Sequence, residues 1–515
     1  MPRDWAAVAA PWAVAAALAL VGAWIVVAQP VAFDDAWITY RYAENWLAGR
    51  GLVFDPGSEP VEGYSNPLWL LFSALAMAMG VEPYAATRFL GAGSYLVAIA
   101  AVGGGLAQHA RALGPAGAAL VPALGCLFLP AGLGAISGSG LETGFAGLCL
   151  VSLGLSLLLR GRSRWTGLIC VVVPLVACAT RLDLLIGVIA VSLADLVGER
   201  AKRLPDVRRR ALQRWVPLSV LLAAMFGFRW SYYGAWLPNP YWAKGADEWH
   251  LVAGASYWWG FLRSAWQVIP LAGLAVFGAL SARSWRLRRL CLYSLLCFVG
   301  YGLYVAKVGG DFMQYRFAWP PYLALSAGGL AGLSELARRQ VAPAALLGVA
   351  IGSLSALPPV LEHEYAMQSL AEMDDYTRLG LEVGPALDEA LPAGTRVATT
   401  LAGTLSFGSS LHIIDQWGLN DREVAQGESL PVFQRGHYKP ATEALLRARG
   451  VELVIHHPQV CACDDLCLED APMLFVRLDA TRCLQGFLLS PGQELIDRVC
   501  SAPDRFVLHG VHCGR

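Results

Sequence analysis

The chain has 515 residues, of which 56% are hydrophobic and 15% charged, and its mean hydropathy is +0.48. Ordinary soluble domains are about a quarter charged, so the composition excludes a large globular enzyme of average make-up, and it excludes disorder and coiled coil as well. The zero net charge hides an asymmetry: residues 359–515 carry 22 acidic and 12 basic side chains, whereas the first 358 carry 17 and 27. The basic residues fall in short clumps between apolar runs rather than on one soluble face, which argues against a nucleic-acid partner. The pattern is that of a polytopic α-helical membrane protein with a soluble tail.

Runs of about 20 apolar residues can cross a bilayer core. About eleven such runs are expected, near 8–29, 84–108, 115–136, 142–159, 165–180, 182–197, 215–233, 258–281, 290–307, 317–336 and 341–357. The first run is longer than the apolar region of a signal peptide. Residues 69–79 are apolar but short, and are expected to form an interfacial helix inside an outward loop at 30–83. With the N-terminus in the cytoplasm, Arg111 and the basic clumps at 160–164, 200–214, 283–289 and 338–339 all fall on the inner side, as the positive-inside rule requires. The last span then exports residues 359–515, after a hinge at Pro358-Pro359. Two domains follow: a membrane domain at 1–358 and an extracytoplasmic cap at 359–515.

The tail reads as a small α/β domain. Short strands are expected at 396–401 and 411–415 around a Gly-rich turn, and a helix at 441–448 feeding a strand at 451–456. Six of the twelve cysteines lie in apolar runs, where a thiol is a small buried hydrophobe. The other six, Cys461, Cys463, Cys467, Cys483, Cys500 and Cys513, lie in the exported tail and read as disulfides of open pairing. The competing reading is a metal site at Cys461, Cys463 and Cys467 with His456 and His457, but this spacing fits no usual zinc ribbon.

The outward loops collect chemistry. The first holds Phe33-Asp34-Asp35-Ala36-Trp37-Ile38, then Arg41-Tyr42, Gly49-Arg50-Gly51-Leu52-Val53 and Val61-Glu62-Gly63-Tyr64-Ser65-Asn66-Pro67-Leu68-Trp69. Later loops hold Ser139-Gly140-Leu141-Glu142-Thr143, Arg181-Leu182-Asp183, Pro238-Asn239 with Ala243-Lys244, and Gly309-Gly310-Asp311-Phe312-Met313 with Arg316-Phe317. Paired carboxylates beside cations suit displacement at an anomeric carbon with a phosphate leaving group: a carboxylate takes a hydroxyl proton or attacks, and cations stabilise the departing oxygens. Aromatic walls suit sugar rings. A donor with its phosphate at the membrane surface and its tail in lipid is a polyprenyl-phosphate sugar.

An Asp-Asp pair just after the first span, followed by an interfacial helix, resembles the membrane-embedded GT-C glycosyltransferases. The fuller motif string is similar to that of the AftB-type terminal arabinofuranosyltransferases, and in the tail Asp415-x-x-Gly418-Leu419-x-Asp421 and Gly436-His437 with Lys439-Pro440-Ala441 continue the match. The resemblance implies a GT-C fold in the inner membrane with its site on the extracytoplasmic face. It also implies transfer of a sugar, arabinofuranose above all, from a polyprenyl phosphate to a glycan, glycolipid or glycoprotein. The alternatives are a hexose transferase acting on exported protein, and a non-catalytic membrane regulator of the flagellar motor-control kind on the same scaffold.

On this reading Asp34 is the catalytic carboxylate, a base in an inverting enzyme or a nucleophile in a retaining one. Asp35 orients it or the acceptor; the bland alternative is a pair that caps the following helix. Lys244, Arg316 and Arg181 are expected at the donor phosphate, or else as interfacial anchors. Arg41, Tyr64, Asn66, Glu142, Asn239 and Asp311 are expected around the substrate cavity. Glu142 and Asp183 can instead pair with Arg181, and Tyr64 and Trp69 can anchor the interfacial helix. His437 is expected in folding or acceptor contact. No metal or other cofactor is obligatory, although Asp34, Asp35 and Asp311 have the oxygen ligands a divalent cation takes.

Overall fold

The computed structural model describes residues 31–110, 131–159, 164–197, 204–340 and 368–510, together with positions 344, 347 and 513. The apolar runs within them form helices, the form in which a chain pairs all its backbone groups internally. Among the described residues, Pro83–Leu106, Pro205–Tyr233 and Trp285–Val308 are each long and apolar enough to cross a membrane. The single span expected at 258–281 is instead two helices, Leu251–Ser264 and Val268–Ser281, which meet at 92°. Ala265 leaves the helical region (φ −131°, ψ 48°). Pro270 then sits in the first turn of the second helix, where its missing N–H removes no intrahelical bond.

The described residues therefore hold three such helices, or four if the bent pair counts as one, and the count of eleven expected for the whole chain includes runs outside them. The runs at 142–159, 165–180 and 182–197 form helices Thr143–Leu155, Arg164–Thr180 and Leu185–Leu196, of 13, 17 and 12 residues. The expected spans at 8–29 and 341–357, most of that at 115–136, and the Pro358-Pro359 hinge lie outside the described residues.

Helix Trp319–Arg339 runs through the bundle with 18 of its 21 residues buried. Its Gly328-Gly329 and Gly332 let neighbours come close: a Cβ at 332 would stand 1.9 Å from the Leu274 carbonyl oxygen. Two further helices belong to the loop at 30–83. Asp35–Leu47 carries the carboxylate pair at its start, and Pro67–Ala78 occupies the segment expected as an interfacial helix.

Beyond the membrane helices, Leu370–Ala390 opens the tail with a capping box. Glu372 N donates to Ser369 Oγ (3.1 Å) and Ser369 N donates to the Glu372 carboxylate (2.7 Å). A six-stranded sheet follows, from β1 (Arg396–Thr399), β2 (His412–Asp415), β3 (Leu453–Ala462), β4 (Met473–Arg477), β5 (Arg482–Leu488) and β6 (Phe506–His509). Its order is β2-β1-β3-β5-β4-β6, with β2, β1 and β3 parallel and the remaining pairs antiparallel. The expected first two strands, the helix (Glu443–Ala448) and the strand after it are present; Leu370–Ala390 and β4 to β6 are additions. The tail cysteines pair as Cys461–Cys467, Cys463–Cys483 and Cys500–Cys513.

The tail does not hang free. Its apolar core, with Val383, Leu387, Val397 and Leu401, continues without a break into Ile38, Tyr42, Phe54 and Tyr64 of the 30–83 loop and Tyr233 at the end of helix Leu204–Tyr233. That shared core positions the site.

Candidate functional site

The Val61–Trp69 stretch is held by polar contacts that fix its direction. Glu62 makes a buried two-toothed pair with Arg229 (2.7 and 2.9 Å), and Tyr64 OH meets Tyr233 OH at 3.0 Å. Asn66 Nδ2 donates to Glu142 at 2.8 Å. Gly63 is required by space: a Cβ there would stand 1.9 Å from Asn420 Oδ1 of the tail. Trp69 is fully buried and donates its indole N–H to the Gly140 carbonyl at 2.8 Å, so it is neither a sugar-facing wall nor a lipid-facing anchor.

The Gly309-Gly310 pair works in the same way for the last loop. Both glycines are left-handed (φ +83° and +94°), and a Cβ at 310 would stand 2.4 Å from the Tyr257 ring. Gln314 and Tyr315 also take positive φ, 34° and 61°, an uncommon conformation for non-glycine residues. The resulting turn brings Arg316 back onto Asp311 at 2.6 Å, and Asp311 also accepts from Met313 N at 2.8 Å. Burial pushes the Asp311 carboxyl up, but Arg316, Lys244 and the Met313 amide outweigh it and hold it below the usual range.

These loops enclose a cavity of about 380 Å3. Asp35, Tyr64, Asn66, Glu142, Arg181, Lys244 and Arg316 all line it, with Asp183, Tyr304 and Phe317. Asp35 faces Arg316 at 3.7 Å, and Arg181 pairs with both Glu142 and Asp183 at 2.9 Å. Three cations, three carboxylates and aromatic walls thus share one space, whose size lies in the range of small-molecule sites.

Asp34 is not among its walls. Its carboxylate accepts from Gly403 N (2.9 Å), Thr404 N (2.7 Å) and Thr404 Oγ1 (2.6 Å) in the tail. Burial raises its pKa to about 6 in spite of those three donors. Neighbouring carboxylates at the start of a helix point different ways, and here the first is spent on the tail while the second faces the cavity. Of the pair expected to be catalytic, Asp35 lines this cavity and Asp34 does not.

Three other expected cavity residues lie elsewhere. Arg41 is buried against the Phe54 carbonyl (3.1 Å), Glu44 (3.0 Å), the Ser409 carbonyl (3.2 Å) and Asp55 (3.6 Å), where its five fixed donors tie the first loop to the tail. Asn239 donates to the carbonyls of Gly418 (2.7 Å), Leu419 (3.2 Å) and Asp421 (3.0 Å), which makes it a strap to the tail. Asp311 stands behind Arg316 rather than in the cavity wall.

A smaller space beside the cavity is bounded by Asp34, Asp35, Lys244, Asp415, Trp417 and His437. Asp415 accepts from Trp417 N (2.9 Å), Asn420 N (3.0 Å) and Asn420 Nδ2 (3.0 Å), which shapes the 415–420 turn; burial raises its pKa to about 6. His437 lies between the rings of Phe312 (4.5 Å) and Trp417 (4.8 Å). Burial, reinforced by Lys244, lowers its pKa to about 4. Sequence reasoning missed Gly403, Thr404 and Tyr304, which carry no motif signal of their own. Among the described residues no group of three or more His, Cys, Asp or Glu side chains converges as a metal site.

A family model described as a domain of unknown function (DUF8728) matches residues 365–499. No curated protein sequence matches the chain. Among solved structures, ArnT of Cupriavidus metallidurans bound to undecaprenyl phosphate is similar, with a TM-score of 0.55 at 14% identity over 96% of this chain and 100% of that one. Its apo form gives a TM-score of 0.52 at 14% identity over 93% and 99%. The oligosaccharyltransferase of Archaeoglobus fulgidus gives 0.50 at 11% identity over 88% of this chain and 69% of that one. The chain thus shares the fold of these proteins.

Proposed function

We propose that the chain is an integral-membrane glycosyltransferase that moves a sugar from a polyprenyl phosphate to an extracytoplasmic glycan, glycolipid or glycoprotein. The observation that carries this reading is the single cavity in which the Asp35 carboxylate faces Arg316 with Arg181 and Lys244 in the same walls. The fold supports the donor class, because the ArnT structure of the same fold holds undecaprenyl phosphate. The motif resemblance adds arabinofuranose as the sugar. In this reading residues 1–358 form the membrane domain, and the tail at 359–515 lies on the extracytoplasmic side of the inner membrane.

Asp35 takes the proton of the acceptor hydroxyl as its oxygen bonds to the anomeric carbon, and the bond from that carbon to the phosphate oxygen breaks. The phosphate leaves with the bonding electrons, and Arg316, Lys244 and Arg181 offset its charge. In a retaining route the same carboxylate would attack the anomeric carbon first. With three cations at hand, a divalent ion is not required, and transfer should survive a chelator. Phe317, with Arg181 5.0 Å from its ring centroid and Arg316 5.4 Å, helps keep the guanidinium planes in place.

The test is single-turnover transfer from a polyprenyl-phosphate arabinofuranose donor by the full chain, with direct donor binding measured on the same samples. Asp35→Asn should lower transfer about 10²–10⁴-fold, the usual worth of acid–base assistance, with donor binding largely kept. Near-normal transfer by that variant would remove Asp35 from the mechanism. Failure of every lipid-linked pentose and hexose donor to react would remove the transferase reading itself.

A further inference from the structure

A second cavity, of about 390 Å3, opens at the other end of the helices that form the first. Among the described residues, Arg209, Arg210, Arg214, Arg286 and Arg289 line it against two carboxylates, Asp195 and Asp206. Asp195 already serves three of the arginines, Arg214 at 3.0 Å and Arg210 and Arg289 at 3.3 Å. Positive charge remains in excess after that pairing. Arg214 is only 2% exposed, and the Arg209 Nε is buried with no hydrogen-bond acceptor among the described residues. Guanidinium donors that are buried and oversupplied call for an anion.

Helix Trp285–Val308 connects the two cavities. Its C-terminal Val308 lines the first and its N-terminal Trp285 lines the second. Its 24 residues, at 1.5 Å each, separate them by about 36 Å, the thickness of a bilayer with part of its headgroups. The helix also presents its N-terminal amides and positive dipole end to the second cavity, where Ser284 at the cap makes no side-chain capping bond. The rim is apolar: Leu159 and Trp285 are 40% and 44% exposed, and Arg288 lies 4.9 Å from the Trp285 ring. Exposed tryptophan beside arginine is the composition of a membrane–water boundary.

We propose that this cavity binds the phosphate of an anionic phospholipid headgroup at the membrane surface opposite the transfer site. The guanidinium cluster takes the phosphate oxygens, the Ser284 hydroxyl adds a donor, and the Leu159–Trp285 rim meets the glycerol and acyl chains. Basic pockets between membrane helices on the cytoplasmic side are suited to such headgroups. A soluble phosphate would find the same cations but would make no use of the apolar rim.

The test uses the purified full chain and does not read glycosyl transfer, so its outcome is independent of the proposed activity. Binding is followed by native mass spectrometry and by the thermal midpoint in micelles containing phosphatidylglycerol, phosphatidylcholine, or phosphatidylcholine with millimolar inorganic phosphate. Phosphatidylglycerol should be retained in preference to phosphatidylcholine and should raise the midpoint. The double variant Arg209→Gln/Arg286→Gln leaves the Asp195 pairs in place and should weaken phosphatidylglycerol retention about tenfold or more. Its midpoint in phosphatidylcholine is measured beside that of the parent, which separates lost binding from lost folding. If the variant proves unstable, each single variant is measured in its place. Equal retention of the two lipids, unchanged retention by the variants, or stabilisation by inorganic phosphate without a lipid preference would each overturn the proposal.

Discussion

Thr404 holds Asp34 by two of its atoms: the backbone N–H and the side-chain hydroxyl both donate to Oδ1, at 2.7 and 2.6 Å. Gly403 adds a third donor at 2.9 Å and packs so closely that a Cβ there would stand 2.0 Å from the Asp34 carbonyl oxygen. This is where the tail meets the membrane part immediately behind the cavity carboxylate Asp35. Hydrogen bonds to a charged group are worth about 1.5–3 kcal/mol. Asp34→Ala and Gly403→Ala should therefore loosen the tail without touching a cavity-lining side chain. Hydrogen exchange of the 401–406 segment should rise in both variants; unchanged protection would show that the tail is held elsewhere.

The motifs that made the site legible in sequence are of two physical kinds. Asp35, Lys244, Arg316, Arg181 and Glu142 were found through charge at the ends of apolar runs, and all five line one cavity. Arg41 and Asn239 sit in equally recognisable motifs but grip tail carbonyls instead. A motif marks a residue that the fold needs and does not say whether the need is chemistry or docking. The choice between Asp34 and Asp35 was illegible for the same reason, since it turns on Gly403 and Thr404, some 370 residues away in the chain. Hydropathy likewise marked the 258–281 run but not its 92° bend, because local backbone angles at Ala265 leave no trace in an apolar average.

Buried groups behind the cavity respond to acid in opposite senses, Asp34 and Asp415 in one and His437 in the other. The pKa of Asp34 rises from 3.8 to about 6 on burial, so the folded chain holds this proton more tightly than the unfolded chain. The stability it brings is full below the unfolded value and is lost as pH climbs to about 6, on the order of 3 kcal/mol. His437 falls from 6.5 to about 4 on burial, so its contribution is full above 6.5 and is lost as pH drops to about 4. The two slopes oppose each other across the same window. His437→Gln removes one of them, so the thermal midpoint of that variant should fall more steeply between pH 4 and pH 6 than that of the parent. A parallel pair of pH profiles would count against this assignment.

The disulfide pattern gives a prediction that needs no substrate. Peptides cut from unreduced protein should be joined as Cys461–Cys467, Cys463–Cys483 and Cys500–Cys513. The Cys463–Cys483 bridge joins the segment after β3 to β5 and closes a 20-residue separation. Cross-links of that loop size contribute about 3 kcal/mol in the chain-entropy description. Cys463→Ser/Cys483→Ser should therefore lower the thermal midpoint of the tail transition. Recovery of free thiols at these positions from protein isolated without reductant would contradict the pairing.

Arg316 is the cation whose position depends most on its neighbours. Asp311 holds it at 2.6 Å from behind while Asp35 stands 3.7 Å in front, so the guanidinium is aimed into the cavity by one carboxylate and shared with another. Arg316→Ala and Lys244→Ala should each weaken donor binding as well as turnover, by about tenfold or more, because charge-assisted contacts to phosphate oxygens are lost from both ground and transition states. Asp311→Asn should act through Arg316: the cation stays, but its rear partner is neutral, and its aim relaxes toward Asp35. Turnover in that variant should therefore fall more than donor affinity, the reverse of the pattern for Lys244→Ala. Combining Asp311→Asn with Arg316→Ala gives the decisive comparison. If Asp311 serves only to position Arg316, the double variant should bind donor and turn over no worse than Arg316→Ala alone, a coupling that a double-mutant cycle reads directly. Additive losses would show instead that Asp311 acts on its own, and the position of Arg316 would then need another explanation.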